Sequence, residues 1–283
     1  MLQLNRTPSH REGNILAGRY CLHEEIGRGR FGAVFRADDL KSGREVAVKL
    51  AERGCGGEFA RKVFENESGA LSAIDHPSVI RLVGSGTSGA EHFIAMEYVP
   101  GMNMKEFLHR RKIPPRISLE IMAGICKTLE TLHSCGVVHR DLKPKNTMVR
   151  FEGGVKLIDF GFASRKGSPD ITGGFSKPFG SPLYSPPEDL RGNGDHRTDI
   201  YSAGVMMYEM LMERSRFYII DALKLLELRV SLSRLLQLSQ GGSRSRGALE
   251  IVMCATERDP AKRFQGAAAM REAIESEITF SIS

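Results

Sequence analysis

The chain has 283 residues, of which 41% are hydrophobic and 26% are charged, a composition typical of a folded globular protein. This excludes a disordered or collagen-like chain, and the length allows about two domains or one domain with two lobes. The net charge of +6 favours anionic partners such as phosphates and acidic peptides, whereas the absence of Trp and the scattered basic residues argue against a nucleic-acid partner.

Residues 1–19 are predicted to form an N-terminal extension. Their sequence lacks the apolar run of a secretory signal peptide, so we expect neither secretion nor a membrane partner. The five cysteines are odd in number and include no CxxC pair, which supports neither a disulfide framework nor a zinc site. A reducing cytoplasm is therefore the expected location.

Residues 20–98 carry patterns typical of an antiparallel sheet with one helix. Strand-forming residues flank a glycine-rich turn at 27–32, which predicts a hairpin. A helix is predicted to end before Pro77, because proline disfavours helical geometry in the residue before it. The predicted bounds are 58–74 for this helix and 80–83 and 92–96 for two later strands.

Beyond residue 102 the pattern changes to helix. Apolar residues recur at 3.6-residue spacing over 118–134, which predicts an amphipathic helix. The most hydrophobic stretch, 199–226, contains charged residues and therefore predicts a buried helix rather than a membrane span. The predicted helices are 118–134, 198–212, a segment within 219–238, 247–255 and 267–277.

These patterns predict an α+β fold with a small N-terminal antiparallel β lobe, containing one helix, and a larger, mainly helical C-terminal lobe. The cleft between two such lobes is a common place for a ligand. The predicted bounds are 20–98 for the N-lobe, 97–102 for the hinge, 103–277 for the C-lobe and 278–283 for a C-terminal tail.

The glycine-rich turn at 27–32 matches the pattern GxGxxG. Alone this is weak, because dinucleotide-binding turns share the spacing and a plain hairpin turn explains most isolated matches. A dinucleotide site needs a helix after the third glycine, whereas Val34 and Phe35 predict a strand. The context therefore favours a flap whose backbone amides approach phosphate oxygens.

The run Val46-Ala47-Val48-Lys49 places one ammonium group in an apolar strand. This is costly unless the charge has partners such as phosphate and a carboxylate, and Glu67 in the next predicted helix is a candidate. Taken singly, an edge lysine and a surface glutamate would explain these two residues without any function.

Residues 139–146 match HRDLxxxN, and residues 159–161 match DFG. In this pattern Asp141 would accept a hydroxyl proton, and Lys143 would contact the transferring phosphoryl group. Asn146 and Asp159 supply hard oxygen ligands, which suit magnesium.

With these motifs in order, residues 20–277 resemble the eukaryotic-type (Hanks-type) serine/threonine protein kinase superfamily, which includes bacterial members. The resemblance implies a bilobal protein-kinase-like fold, ATP and Mg²⁺ as cofactors, and protein or peptide substrates. It also implies that Lys49 contacts phosphates and pairs with Glu67, and that Asn146 and Asp159 hold the metal. The implied nucleotide-binding residues are Ile26, Gly27, Gly29, Phe31, Gly32, Val34, Ala47, Lys49, Met96, Glu97, Val99, Asn103 and Met148.

Residues 180–188 resemble the family's GTPxYxAPE segment, which forms the seat for the substrate hydroxyl. Ser181 replaces threonine but keeps the hydroxyl that would bond Asp141 and Lys143, and Pro186 replaces alanine. Two structural supports are also implied by the resemblance, an ion pair between Glu188 and Arg263 and a brace from Asp199 to the catalytic loop.

The implied function is ATP-dependent phosphorylation of serine or threonine in proteins, with autophosphorylation. Lys143 indicates this acceptor type by resemblance. Two alternatives stay open, a pseudokinase that acts as a nucleotide-binding scaffold and a small-molecule kinase of related fold. The full set of catalytic residues argues against the first, and the peptide seat at 180–188 argues against the second.

Two hypotheses concern regulation and substrate choice. Arg140 resembles arginines that bind a phosphate on the activation loop, with Ser176 as the first candidate phosphosite and Thr172 and Ser168 as weaker ones. Lys145 stands where many members that prefer basic substrates carry glutamate, so it would repel an upstream arginine of the peptide. The region 219–246 departs from the family pattern, and its leucines are expected in the core.

Overall fold

The computed structural model describes residues 13–51, 57–168, 171, 181–189, 194–211 and 246–280. The chain divides into two compact units. The first consists of the chain up to Asp75 together with Ile80–Pro100, and the second consists of His76–Val79 together with the chain from Gly101 onward. The predicted helix within 219–238 and the candidate phosphosites Thr172 and Ser176 lie outside the described residues.

The first unit is an antiparallel sheet with one helix. In space the strands follow the order β1-β2-β3-β4-β6-β5, so consecutive hairpins build most of the sheet. The elements are β1 (Ile15–Leu16), β2 (Tyr20–Arg28), β3 (Gly32–Asp39), β4 (Arg44–Ala51), α1 (Gly57–Ser72), β5 (Leu82–Ser88) and β6 (Glu91–Glu97).

Alternating apolar side chains form the core of this unit. In β3, Phe35 and Ala37 are buried, and in β4, Val48 and Leu50 are buried. A large apolar side chain such as Phe35, Val48 or Leu50 contributes about 1.5–3 kcal/mol to stability when it is fully buried. Helix α1 turns mainly apolar residues inward, yet Glu67 is also on its buried face. That buried carboxylate requires a partner.

The second unit contains helices and two small sheets, one with the strand order β10-β9-β7 and one that pairs β8 with β11. The elements are β7 (Gly101–Asn103), α2 (Met104–Arg110), α3 (Pro115–Ser134), β8 (Val137–Val138), β9 (Thr147–Arg150), β10 (Val155–Leu157), β11 (Ser164–Arg165), α4 (Arg197–Leu211), α5 (Arg246–Ala255) and α6 (Ala267–Phe280).

Helix α4 is the central helix among the described residues of this unit. Its side chains from Thr198 to Met210 are buried, and it packs against α3 and α5. A helix that is buried on all sides is typical of a core position. None of the helices in the described ranges is long and apolar enough to cross a membrane.

The small sheets fix the ends of two loops. Strand β8 leads into residue 139 and β9 begins after residue 146, so both ends of the HRDLxxxN segment are held by strands. In the same way β10 ends just before the DFG motif and β11 follows it. The backbone N–H of Ile158 donates to the carbonyl oxygen of Asn146 at 3.0 Å, which joins the two loops directly.

Several predicted bounds were wrong. The strand predicted at 80–83 is β5, over Leu82–Ser88, which extends through Gly84 and Gly86 because it pairs with β6. Gly84 also lies under Tyr20, whose hydroxyl would be 2.7 Å from an added Cβ. The helix predicted to end at 74 ends at Ser72, where the N–H of Ala73 donates to Ala70 in a tighter turn.

Candidate active site

Lys49 and Glu67, both predicted from the sequence, form a buried ion pair in the first unit. Lys49 lies in the centre of β4, and its Nζ donates to Oε2 of Glu67 in α1 at 2.6 Å. Their side chains are 11% and 1% exposed. The ring of Phe64 lies 5.8 Å from the ammonium nitrogen. The pair fixes the position of a cation that could contact phosphate.

The glycine-rich turn joins β2 to β3, and its glycines have different surroundings. A Cβ on Gly32 would lie 2.1 Å from the carbonyl oxygen of Leu50, so this glycine is required by the close approach of β4. Within the part of the chain that the structure describes, a Cβ on Gly29 would have one neighbour within 4 Å, the carbonyl oxygen of Gly32 at 3.9 Å. Phe31 packs edge-on against Phe59 with ring centroids 5.6 Å apart.

Apolar residues predicted for the adenine site lie on paired strands of the first unit. Ala47 is the register partner of Met96, and both are buried. Val34 is opposite Gly27 on one side and Lys49 on the other. Ile26 is 44% exposed, whereas Val99 is buried. Glu97 ends the same strand as Met96.

The remaining two predicted nucleotide-binding residues lie together in the second unit. Asn103 in β7 is the register partner of Met148 in β9. Asn103 is also the N-cap of α2, since its side-chain oxygen accepts from the backbone N–H of Glu106 at 3.0 Å.

The carboxylate of Asp199 in α4 holds the start of residues 139–146, the segment that corresponds to the catalytic loop of the resembling family. Its two oxygens accept the backbone N–H groups of His139 and Arg140, each at 2.9 Å. His133 of α3 also contacts this carboxylate, with Nε2 at 2.9 Å from Oδ2. Burial acts to raise the pKa of Asp199, but the hydrogen bonds outweigh burial and lower it. Asp199 is therefore charged when it braces the loop.

This brace supports an unusual backbone conformation. Arg140 has a φ of 61°, in the left-handed region that residues with a Cβ rarely adopt. Such a conformation persists only where the surroundings over-determine it. Asp199, which binds the N–H groups of the two consecutive peptides before the Cα of Arg140, provides that support.

Asp141 lies at the centre of a hydrogen-bonded network. Nζ of Lys143 is 2.6 Å from Oδ2 of Asp141 and 2.9 Å from Oγ of Ser181. The hydroxyl of Ser181 is 3.3 Å from Oδ1 of Asp141. The pKa of Asp141 is raised above its usual value, mainly by burial. The negative charge of Asp159 also raises this pKa, and the positive charge of Lys143 opposes the rise. The network therefore holds a carboxylate that is more basic than an exposed aspartate.

Asn146 and Asp159 form the donor set expected for magnesium. The side-chain nitrogen of Asn146 donates to both the backbone oxygen and Oδ2 of Asp141, each at 2.9 Å. The amide oxygen of Asn146 is then the side-chain atom that could act as a metal ligand. Among the described residues, no group of three or more His, Cys, Asp and Glu side chains could hold a metal ion. One carboxylate and one amide oxygen fit Mg²⁺, which keeps water and takes substrate phosphates as further ligands.

The segment 181–189 carries further contacts, some of which the sequence did not predict. The predicted pair is present, since both guanidinium NH₂ groups of Arg263 bind Glu188, at 2.5 and 3.1 Å. The hydroxyl of Tyr184 donates to Oε2 of Glu209 in α4 at 2.6 Å, a contact without any local sequence signal. Burial raises the pKa of Glu209 and of Tyr184.

Known proteins and a family model match almost the whole chain. The family model described as "Protein kinase domain" matches residues 20–276. A probable serine/threonine-protein kinase of Streptomyces coelicolor is 36% identical over 215 residues, which are 73% of this chain and 32% of that protein. The serine/threonine-protein kinase PknL of Mycobacterium tuberculosis is 32% identical over 270 residues, covering 94% of this chain and 67% of PknL.

A third relative is the serine/threonine-protein kinase PrkC of Bacillus subtilis, 32% identical over 272 residues, which are 93% of this chain and 41% of PrkC. The matched part is 32% of the Streptomyces coelicolor protein and 29% of a probable serine/threonine-protein kinase of Clostridium perfringens. The chain therefore spans about a third of the length of these two relatives, and a larger share of PrkC and PknL.

Proposed function

Because this chain belongs to the protein kinase domain family, we propose that it transfers the γ-phosphoryl group of ATP to serine and threonine hydroxyls of protein substrates. The observation that carries the proposal is the network in which Lys143 contacts both Asp141 and Ser181. It combines a proton acceptor, a cation and a hydroxyl on the segment that resembles the peptide seat.

Asp141 acts on the acceptor hydroxyl. Its carboxylate orients the substrate O–H and takes the proton as the oxygen attacks the phosphorus atom. The raised pKa of Asp141, which burial causes, makes it a better proton acceptor than an exposed aspartate. Lys143 offsets negative charge on the transferring phosphoryl group.

The nucleotide is held by the residues predicted from the resemblance. Lys49, fixed by Glu67, contacts the phosphates, and the backbone amides of the glycine-rich turn approach phosphate oxygens. Ala47, Met96 and the other apolar residues of the predicted set contact adenine. Asn146 and Asp159 would hold Mg²⁺, which would offset the negative charge of the phosphates.

The test measures transfer from γ-labelled ATP in the presence of Mg²⁺ to three kinds of acceptor: casein, the protein itself and small alcohols. We expect label on protein, and on serine and threonine after acid hydrolysis. The Asp141→Asn protein and a reaction with EDTA are the controls, and both should give no label.

Each alternative gives a different result. A pseudokinase would bind ATP without transferring label to any acceptor. A small-molecule kinase would label alcohols and not proteins. Label on tyrosine alone would refute the proposed acceptor type while leaving the kinase activity in place.

A further inference from the structure

Two neighbouring carboxylates end the segment 181–189, and they bind different arginines. Glu188 binds Arg263, as the sequence predicts. Asp189 instead lies with Oδ1 at 3.7 Å from Nε of Arg140, the arginine of the catalytic loop. No motif used in the sequence analysis assigns a role to Asp189.

The pair of Asp189 and Arg140 is almost completely buried. Their side chains are 8% and 9% exposed. An NH₂ group of Arg140 also donates to the carbonyl oxygen of Gly194 at 3.2 Å. A buried guanidinium is costly without an anion, and Asp189 supplies that anion from within the chain.

This contact gives the segment 181–189 two attachments to the catalytic loop. At its start, Ser181 binds Asp141 and Lys143. At its end, Asp189 pairs with Arg140, whose strained backbone is held by Asp199. A segment that is fixed at both ends to residues 140–143 keeps its hydroxyl in register with the catalytic carboxylate.

We propose that Asp189 is a positioning residue that takes the place of an activating phosphate as the anion for Arg140. The resemblance implies that Arg140 binds a phosphate on the activation loop, but in the structure Arg140 forms an ion pair with the carboxylate of Asp189. On this proposal Arg140 needs no phosphate as its partner, so phosphoryl transfer should proceed before any residue is phosphorylated. The inference rests on the proposed kinase function and specifies how its site is regulated.

The first test compares phosphate-free proteins whose intact mass proves that no phosphate is present. Initial rates with a serine peptide are measured for wild type, Asp189→Asn and Asp195→Asn. Asp195 lies in the same region but is 47% exposed and pairs with Arg197, so its variant is a matched control for loss of one carboxylate. We expect wild type and the control to be active before any phosphate is incorporated.

The Asp189→Asn protein should lose about 10- to 100-fold in kcat for the peptide, the scale of a small misplacement of reacting groups. The KM for ATP should stay unchanged, because the nucleotide-binding residues are untouched. Asp189→Glu keeps the charge and should recover part of the lost kcat. A purely structural role would lower the melting temperature without this split between kcat and KM.

A second variant tests the contact without altering either charge. A Cβ on Gly194 would lie 2.4 Å from Oδ1 of Asp189 and 2.6 Å from Oγ1 of Thr198, so Gly194→Ala should push the carboxylate away from Arg140. Its kcat should fall in the same direction as that of Asp189→Asn. The two substitutions together should lower kcat no further than Asp189→Asn alone, since both remove one contact.

Two results would overturn the proposal. One is a phosphate-free wild type that is inactive and gains activity only after autophosphorylation. The other is an Asp189→Asn protein whose kcat equals that of the Asp195→Asn control. If Asp189→Asn does not fold, the same result for a folded Gly194→Ala protein would overturn the proposal. Wild type that transfers no phosphate in any phosphorylation state would instead refute the proposed kinase function.

Discussion

The buried pair of Lys49 and Glu67 allows its structural and chemical roles to be separated. Replacing Lys49 by methionine removes the ammonium group and nearly preserves the volume of the side chain. The carboxylate of Glu67 is then left buried, 1% exposed, without the cation that lies 2.6 Å away in the wild type. Replacing Glu67 by leucine in the same protein removes the remaining charge.

The expected magnitudes follow from burial. Removing one partner of a buried ion pair costs about 3–5 kcal/mol, whereas replacing both partners by apolar groups is often neutral or stabilising. Because the Lys49 side chain keeps 11% of its exposure, we expect about 3 kcal/mol for Lys49→Met, the lower end of that range. The double variant should recover most of this loss.

Denaturant unfolding followed by circular dichroism measures the stability, and peptide phosphorylation measures the activity. Both variants should be inactive, since both lack the cation that contacts phosphate. Lys62→Met, which removes the lysine of a surface pair with Glu58 in the same helix, is the matched control and should change neither quantity appreciably. A double variant no more stable than Lys49→Met would refute the reasoning on burial, and one with normal activity would refute the role of Lys49.

Three further predictions concern Asp141 and the glycine-rich turn. Asp141→Asn should lower kcat by about 10²-fold or more in the peptide assay, the usual scale for a positioned acid–base group, and near-normal turnover would exclude the mechanism. Burial raises the pKa of Asp141, and the carboxylate is the active form. As the pH is lowered, kcat should therefore begin to decrease at a higher pH than it would for an aspartate with the ordinary pKa of about 3.9. Gly32→Ala should lower the melting temperature because its Cβ would meet Leu50, whereas Gly29→Ala should keep the melting temperature and raise the KM for ATP; equal melting temperatures would contradict the assigned contacts.

The long periodic elements of the fold could be predicted from the sequence, and the short or glycine-containing ones could not. The helix predicted at 118–134 is present over Pro115–Ser134, because its apolar stripe extends over five turns. Helix α2, over Met104–Arg110, was not predicted, since seven residues are too few to establish a period. Strand β5 carries two glycines, and only its pairing with β6 identifies it as a strand.

The residues of the candidate site divide in a similar way. Asp141, Asn146 and Asp159 occur in short motifs whose spacing is visible along the chain. The bonds from His133 to Asp199 and from Tyr184 to Glu209 join residues 66 and 25 positions apart, and the partners share no motif. The contact of Asp189 with Arg140 is of this kind. Such pairs depend on tertiary packing, which one sequence does not specify.

Lys145 provides a test of substrate choice that depends on charge alone. It is exposed and lies in the short 3-10 helix Pro144–Asn146, between Lys143 and Asn146 of the HRDLxxxN motif. A lysine at this position repels an arginine that precedes the acceptor residue in a peptide and attracts an acidic residue. The predicted preference of the wild type is therefore for acidic over basic residues at that peptide position.

The size of this effect is limited by solvent. Exposed charge pairs contribute about 0–1 kcal/mol, which corresponds to at most about five-fold in kcat/KM. Two peptides that differ only in glutamate or arginine before the acceptor serine measure it, at low and at physiological salt. Lys145→Glu should reverse the preference, and Lys145→Gln should abolish it. Higher salt should weaken both effects, because the Debye length shortens to about 8 Å at physiological ionic strength. A wild type that prefers arginine at that position, with the same preference in Lys145→Glu, would show that this lysine does not face the substrate.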